Sequence, residues 1–302
     1  MQTINSISQF HRLLSLSDPL HPLVSVVHVE DIRPVEDMVW EGFFLNFYTI
    51  SLKRNVQVKG KYGQSYYDFD KGVMSFTAPR QLQSHTMLEA TQQNGFGTGY
   101  VLLLHPDFLL QNPLANKIHT FGYFDYSVNE ALHLSAREEQ DILDLFHKIE
   151  HELENIDMIT QDIMLSQIDL ILNYCNRFYQ RQFITRKSVN SDLLKRLNQL
   201  LNNYFDENKA LHNGLPTVVD LADQLQVSQR YLSDMARTLT GQNTQQLIHE
   251  KIIEKAKEKL LTTTLSVSEI AHELGFEHSQ SFNKLFKSKT NITPLEYRSS
   301  FN

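Results

Sequence analysis

The sequence predicts an α+β protein in which a small domain of short strands is followed by helices and then by an all-helical domain. Three observations lead there. Short apolar runs crowd the first 134 residues, a helical period takes over from about residue 135, and the last hundred residues contain an imperfect internal repeat. A length of 302 residues suits two domains. With 41% hydrophobic and 21% charged residues the composition is ordinary for a globular protein, which excludes wholesale disorder, collagen and a coiled-coil rod.

The formal net charge of -7 excludes a uniformly basic coat but leaves room for a local basic face. From Leu193 onward there are 13 Lys+Arg and 12 Asp+Glu, so all the net negative charge precedes it. Cys175 is the one cysteine, which rules out an intramolecular disulfide and a Cys-rich zinc site. A single thiol fits a reducing compartment. Met1–Asn5 lacks the basic start and apolar core of a signal peptide, and no run of about 18 apolar residues could cross a membrane. A cytoplasmic location is expected.

The strand candidates, in order, are Leu23–Val29, Phe43–Ile50, Tyr66–Phe69, Gly72–Phe76 and Gly99–Leu104. Lys59–Lys61 and Asp70–Gly72 read as turns between them. Many short, closely spaced strands suggest a small sandwich or barrel over residues 1–134. Ser135 with Glu138 three residues on is a capping-box pattern, and Ile142, Leu145, Phe146, Ile149 and Leu153 follow at helical spacing. A second helix carries Ile163, Leu165, Ile168, Leu170, Ile171 and Leu172, with Cys175 expected to pack as a small apolar residue. Apolar residues nearly surround this helix. The surplus is open to two readings, an intersubunit contact or plain packing on the strands. Residues 181–192 are polar and aperiodic, with Arg181, Arg186 and Lys187, and read as a linker. Residues 193–302 are helical in pattern almost throughout.

The repeat carries the functional reading. Asp220–Ser228 and Glu269–Glu277 align at an offset of 49: Leu221 and Ala222 match Ile270 and Ala271, while Leu225 and Val227 match Leu274 and Phe276. After one inserted residue the offset becomes 50, pairing Leu232 with Phe282, Met235 with Leu285 and Thr240 with Thr290. Each copy has the logic of a helix-turn-helix. A short amphipathic helix carries an Ala where a second helix approaches closely. A sharp turn follows, which Gly275 suits because it tolerates positive φ. A capping Ser is then expected to open the next helix, Ser228 in copy one and Ser279 in copy two. One polar stripe remains outward: Gln229, Arg230, Ser233 and Arg237 in the first copy, and Gln280, Ser281, Asn283, Lys284 and Lys287 in the second. These side-chain types read base edges and hold phosphates. A single such stripe reads better as an ordinary solvated helix face; two in matching register, with similar polar faces, reverse the balance in favour of DNA.

Residues 217–299 closely resemble the DNA-binding domain of AraC/XylS-type bacterial transcription regulators. The resemblance rests on Val227–Ser233, Thr240-Gly241, Leu265–Ala271, Glu273–Glu277, Ser281–Lys287 and Thr293–Arg298. It implies two helix-turn-helix units on either side of a connecting helix at about Gln245–Leu261. Recognition helices would lie at about Gln229–Leu239 and Ser279–Lys289, entering successive major-groove segments roughly 34 Å apart. From stripe and resemblance together the expected base contacts are Gln229, Arg230, Ser233, Ser279, Gln280, Ser281, Asn283 and Lys284, and the expected phosphate contacts are Arg237 and Lys287. The chain departs from the family pattern at Asn243 and Thr244 (usually Ser-Pro), at Asn291 (usually Gly), at Ile252 and Lys284 (commonly Arg), and at Asp234 (often basic). Asn tolerates the left-handed conformation the turn at 291 needs. Asp234 leaves two readings open, acceptance from a cytosine amino group or a weaker first half-site.

Tyr67–Gln81 and His105–Leu109 resemble the cupin-like sensor barrel of many such regulators. The organisation implied is a sensor barrel at 1–134, a helical dimerisation element at 135–180, a linker at 181–192 and a double helix-turn-helix domain at 193–302. Double-stranded DNA is the expected partner, together with a homodimer mate; a small-molecule effector and RNA polymerase are admitted as further partners, and no membrane. Two other readings stand beside this one, a cupin-type enzyme and a protein-interaction module. Cupin enzymes hold a metal through His-x-His, which is absent, and His85, His105 and His119 are scattered. His147 and His151 sit four apart on a helix, yet two ligands alone make a weak site. No nucleophile turn marks a catalytic Ser. No catalytic residue, metal or cofactor is therefore expected. Phe47, Tyr48, Tyr66, Phe76 and Tyr100 are conceivable pocket aromatics that read first as core, so none is assigned as a ligand contact.

Overall fold

The computed structural model describes residues 2–33, 43–54, 61–62, 65–66, 72–83, 97–127 and 130–301. The Lys59–Lys61 turn, most of the Tyr66–Phe69 strand and Asp70–Gly72 turn, the start of the Tyr67–Gln81 resemblance, the Tyr66 side chain and His85 lie outside them. The chain divides into two compact units between Gln182 and Phe183.

The first unit contains β1 (Gln2–Ile4), α1 (Ile7–Leu13), β2 (Val24–His28), β3 (Phe43–Leu45), β4 (Tyr48–Arg54), β5 (Lys61–Tyr62), β6 (Ser65–Tyr66), β7 (Val73–Thr77), β8 (Leu82–Gln83), β9 (Thr98–Leu104), α2 (Leu114–Lys117), β10 (Leu132–His133), α3 (Ala136–Glu154) and most of α4 (Thr160–Thr185). An antiparallel five-stranded sheet runs β10-β7-β4-β9-β2, a three-stranded sheet runs β1-β3-β8, and β5 and β6 pair by themselves. The expected closed barrel is corrected to open sheets. Among the described residues β2 pairs only with β9, and β10 pairs only with Met74 and Val73 of β7, so no ladder joins the two edges. The run Phe43–Ile50 is two strands in two sheets.

Alternation along β4 and β7 decides what each face of the large sheet meets. Ile50 and Leu52 stand opposite Phe76 and Met74, and all four are buried. This face meets α4: the Cys175 thiol donates to Met74 Sδ at 3.6 Å, and Phe76 lies 6.1 Å from the Tyr179 ring. Burial drives the Cys175 pKa up, so the thiol stays neutral and acts as packing. On the opposite face Val101 and Leu103 of β9 join Ile4, Ile7, Phe43, Leu45 and Phe47 in one core cluster. Phe47 and Tyr48 are thus core residues.

Ser135 caps α3 through the expected box with Glu138, and the helix buries Ile142, Leu145, Phe146, Ile149 and Leu153. α4 buries Leu165, Ile168, Ile171, Leu172 and Cys175 within this chain and leaves Leu170 42% exposed. Packing therefore absorbs most of its apolar surplus. His147 Nε2 is bonded to the Tyr100 hydroxyl at 2.9 Å, His151 pairs with Glu154, and no group of His, Cys, Asp and Glu among the described residues could hold a metal ion. Residues 181–192 are helical on both sides of a break at Arg186. Asn190, almost fully buried, donates across that break to the Phe183 carbonyl at 2.8 Å, which gives this polar stretch its local order. No helix among the described residues is long and apolar enough to cross a membrane.

The second unit is all-helical: α5 (Lys187–Asp206), α6 (Lys209–Asn213), α7 (Val218–Leu225), α8 (Gln229–Thr240), α9 (Thr244–Thr262), α10 (Val267–Glu273), α11 (Ser279–Thr290) and α12 (Pro294–Ser299). Capping boxes start three of them: Asn243 with Gln246, Ser266 with Glu269, and Thr293 with Glu296. The bonds that Glu269 and Glu296 accept at these helix starts hold both carboxyls below the usual carboxylate range. A carboxylate with a lowered folded pKa stabilises the fold above its unfolded pKa, and that contribution is lost as pH falls through the folded value. Gln also completes a capping box, as Gln246 does. The variant Glu269→Gln/Glu296→Gln is therefore expected to fold at neutral pH and to show a shallower fall in melting temperature than the native chain between about pH 5 and pH 3. Parallel curves in thermal melts would refute it.

Candidate nucleic-acid interface

The repeat read from sequence is a repeat of structure. Ala222 and Ala271 are buried where α7 and α10 meet their neighbours. The turns that follow use a left-handed residue at the same register: Gln226 at φ 59° and, 49 positions on, Gly275 at φ 91°. α8 and α11 start 50 residues apart, at Gln229 and Ser279, and end alike. Gly241 and Asn291 are left-handed caps, donating to the Arg237 carbonyl at 2.9 Å and the Lys287 carbonyl at 2.8 Å. The hydroxyls of Thr240 and Thr290 each bond twice in equivalent positions, to Ala236 and Gln242 and to Phe286 and Ile292.

The family departures find local partners. Asn243 caps α9, Thr244 is fully buried behind it, and Ile252 is fully buried as a core residue. Ser228 accepts from the Tyr231 amide and caps α8 as expected. The expected cap at Ser279 is corrected: His278 occupies that place, without a side-chain bond, and Ser279 is the first residue of α11. The repeat register explains it, because at offset 50 Ser279 stands opposite Gln229, and the residue opposite Ser228 is His278.

Helical spacing gathers the candidates. Arg230, Ser233, Asp234 and Arg237 of α8, and Gln280, Asn283, Lys284 and Lys287 of α11, stand at i, i+3, i+4 and i+7, one face of each helix. Arg230, Arg237, Gln280, Lys284 and Lys287 are exposed; Ser233 and Asn283 are half-buried. Gln229, exposed, lies one turn before Ser233, and Ser279, half-buried, one turn before Asn283. Ser281 is exposed at the register of the buried Tyr231, so it sits apart from the other four on α11. The Ser233 hydroxyl already donates to Thr244 Oγ1 at 3.4 Å.

The two faces differ in charge. Arg230 Nε donates to Asp234 Oδ2 at 3.1 Å, and Arg237 Nη1 lies 3.7 Å from Asp234 Oδ1. One carboxylate thus engages both cations of α8. At its register in α11 stands Lys284, so that face carries Lys284 and Lys287 with no salt bridge to either among the described residues. Sequence reasoning gave Arg230 and Arg237 as contacts and missed this pairing, although i,i+3 and i,i+4 spacing to Asp234 signals it. Each exposed pair of this kind is worth roughly 0.3–0.5 kcal/mol, weak enough to exchange for another anion.

Comparison with known proteins follows the same segment. Residues 221–300 match a family of helix-turn-helix domains. The raffinose operon transcriptional regulatory protein RafR of Pediococcus pentosaceus is 34% identical over 84 residues, 28% of this chain and 30% of that protein. The HTH-type transcriptional activator RhaR of Cronobacter sakazakii is 34% identical over 92 residues, 30% of this chain and 32% of the relative. The C-terminal domain of the two-component response regulator yesN from Fusobacterium nucleatum is 37% identical, covering 33% of this chain and 96% of that one, with a TM-score of 0.30. The chain spans about a third of the length of these two curated relatives. Residues 221–300 form an AraC/XylS-type helix-turn-helix domain.

Proposed function

We propose that the whole chain is a sequence-specific, DNA-binding transcription regulator of the cytoplasm. One observation carries the reading: two helix-turn-helix copies at a fixed offset turn a polar face outward at the same four register positions. In this reading Gln229, Arg230, Ser233, Ser279, Gln280, Ser281, Asn283 and Lys284 contact bases, and Arg237 and Lys287 contact phosphates. The connecting helix α9 has 19 residues, about 28 Å of rise, which suits two heads set about one DNA turn apart. The first unit then serves as a cupin-like sensor for a small molecule or partner, not as a catalyst, and the chain acts as a homodimer. Leu170, exposed on α4, supports a dimer contact far less than the whole apolar helix would.

The test is selection of bound DNA from a random library by the purified full chain at near-physiological salt, with and without added cell extract. Two short enriched blocks about one helical turn apart support the reading. No enrichment in either condition overturns it.

A further inference from the structure

One face of the large sheet is not explained by packing. Thr49, Ser51 and Lys53 alternate along β4, and Thr77 and Ser75 of β7 stand opposite Thr49 and Ser51. The five side chains share a face. Further across it, Val101 and Leu103 of β9 belong to the apolar core. The face is therefore apolar at β9 and polar at β4 and β7. Together with Gln83 of β8, the polar group lines a cavity of about 100 Å³, room for several waters or one small molecule.

The polar groups there lack partners. Among the described residues none of the six side chains makes a hydrogen bond or ion pair, although Thr49 and Ser51 are 8% and 7% exposed. Gln167 Oε1 is the one buried side-chain polar atom without a partner among the described residues, so these groups face the open cavity and can bond water or an occupant there. Lys53 is half-buried, burial lowers its pKa, and among the described residues no carboxylate lines the cavity. Holding an ammonium without a counter-charge costs stability that an apolar residue of similar length would not. The wall also offers a rigid ring: the Tyr123 hydroxyl is anchored on the Leu172 carbonyl at 2.8 Å. With no second cation among the described lining residues, this ammonium matches a single carboxylate better than a phosphate, which draws Arg or several donors.

We propose that this cavity binds a small hydroxylated carboxylate, with the carboxylate on Lys53 Nζ and the hydroxyls on the Thr and Ser rows of β4 and β7. The proposal rests on the reading of the first unit as a sensor and names the chemistry of what it senses. In the closing experiment, calorimetry and thermal melts of the full chain use glycerate, D-gluconate and D-glucuronate. The neutral counterparts glycerol, D-glucitol and D-glucose, and sulfate at equal ionic strength, serve as comparisons. At least one carboxylate is expected to bind about tenfold or more tighter than its neutral counterpart and than sulfate. Lys53→Met is expected to lose about tenfold or more of that affinity, while its melting temperature without ligand is unchanged or higher. If Lys53→Met does not fold, the same loss is read in Ser75→Ala/Thr77→Val. Equal binding of the neutral counterpart or of sulfate, undiminished binding by the variants, or no binding by any of the three carboxylates overturns the proposal. DNA selection with the same preparation reads the regulator function separately, so a chain that selects DNA but binds no carboxylate fails only the ligand class.

Discussion

Lys284→Ala/Lys287→Ala is expected to lower affinity for a selected DNA site by about 100-fold. A base contact is worth about 1–3 kcal/mol, and each phosphate neutralised contributes about 0.9 to the salt slope. These lysines have no salt-bridge partner among the described residues, and only Lys287 interacts at longer range with a carboxylate, that of Glu296, so most of their charge is available to DNA. The slope of log affinity against log salt should become shallower by about one to two units. Asp234→Asn makes the opposite change on α8. It frees Arg230 and Arg237 from their shared carboxylate and removes a negative charge from the face that meets phosphates. A steeper slope and a few-fold gain in affinity are expected, larger for unselected DNA than for the selected site. Fluorescence anisotropy at four salt concentrations measures both. A salt slope unaltered by loss of the two lysines would remove α11 from the interface.

Gly275→Ala is expected to destabilise the chain by about 3 kcal/mol. Two effects add. A side chain at φ 91° is strained whatever the space, at about 1–2 kcal/mol. The added Cβ would also lie 2.6 Å from the carbonyl carbon of Gly214, 2.7 Å from its oxygen and 3.0 Å from the Ala210 carbonyl oxygen. All three are backbone atoms and cannot swing aside, and overpacking of this kind costs roughly 1–3 kcal/mol. Gln226 is the internal control, because it takes the equivalent left-handed turn with a side chain already present. Gln226→Gly relieves strain and should leave stability equal or raise it by about 0.5 kcal/mol. Urea unfolding of the full-length variants reads both. A loss under about 1 kcal/mol for Gly275→Ala would show that the Gly214 loop moves away.

The repeat was legible because its signals are local. Offsets of 49 and 50 returned as equivalent turns, equivalent helix starts and equivalent left-handed caps, even with Asn291 in place of Gly. The same register, followed one residue further, points to His278 at the second cap, where the conspicuous Ser279 misled. The clamp on α8 was legible from spacing alone, yet a stripe chosen by residue type passes over an acid. Sheet closure was not legible, because pairing joins segments far apart: β1 lies parallel to β3, some forty residues on, and β10 meets β7 after the helical turns between them. Nor was the order of 181–192, which depends on one buried amide reaching back to Phe183. The polar face of β4 shows only against β7, where alternate residues of two strands align.

The shared carboxylate on α8 also bears on the order in which such a domain would engage a duplex. Electrostatic attraction governs the encounter, and on that count the α11 end, whose two lysines stand in no salt bridge among the described residues, should touch down first. Arg230 and Arg237 must then trade Asp234 for DNA before α8 can settle. That exchange is unimolecular, so it gives association a second phase independent of DNA concentration, and it makes a poor site release the α8 end while α11 still holds.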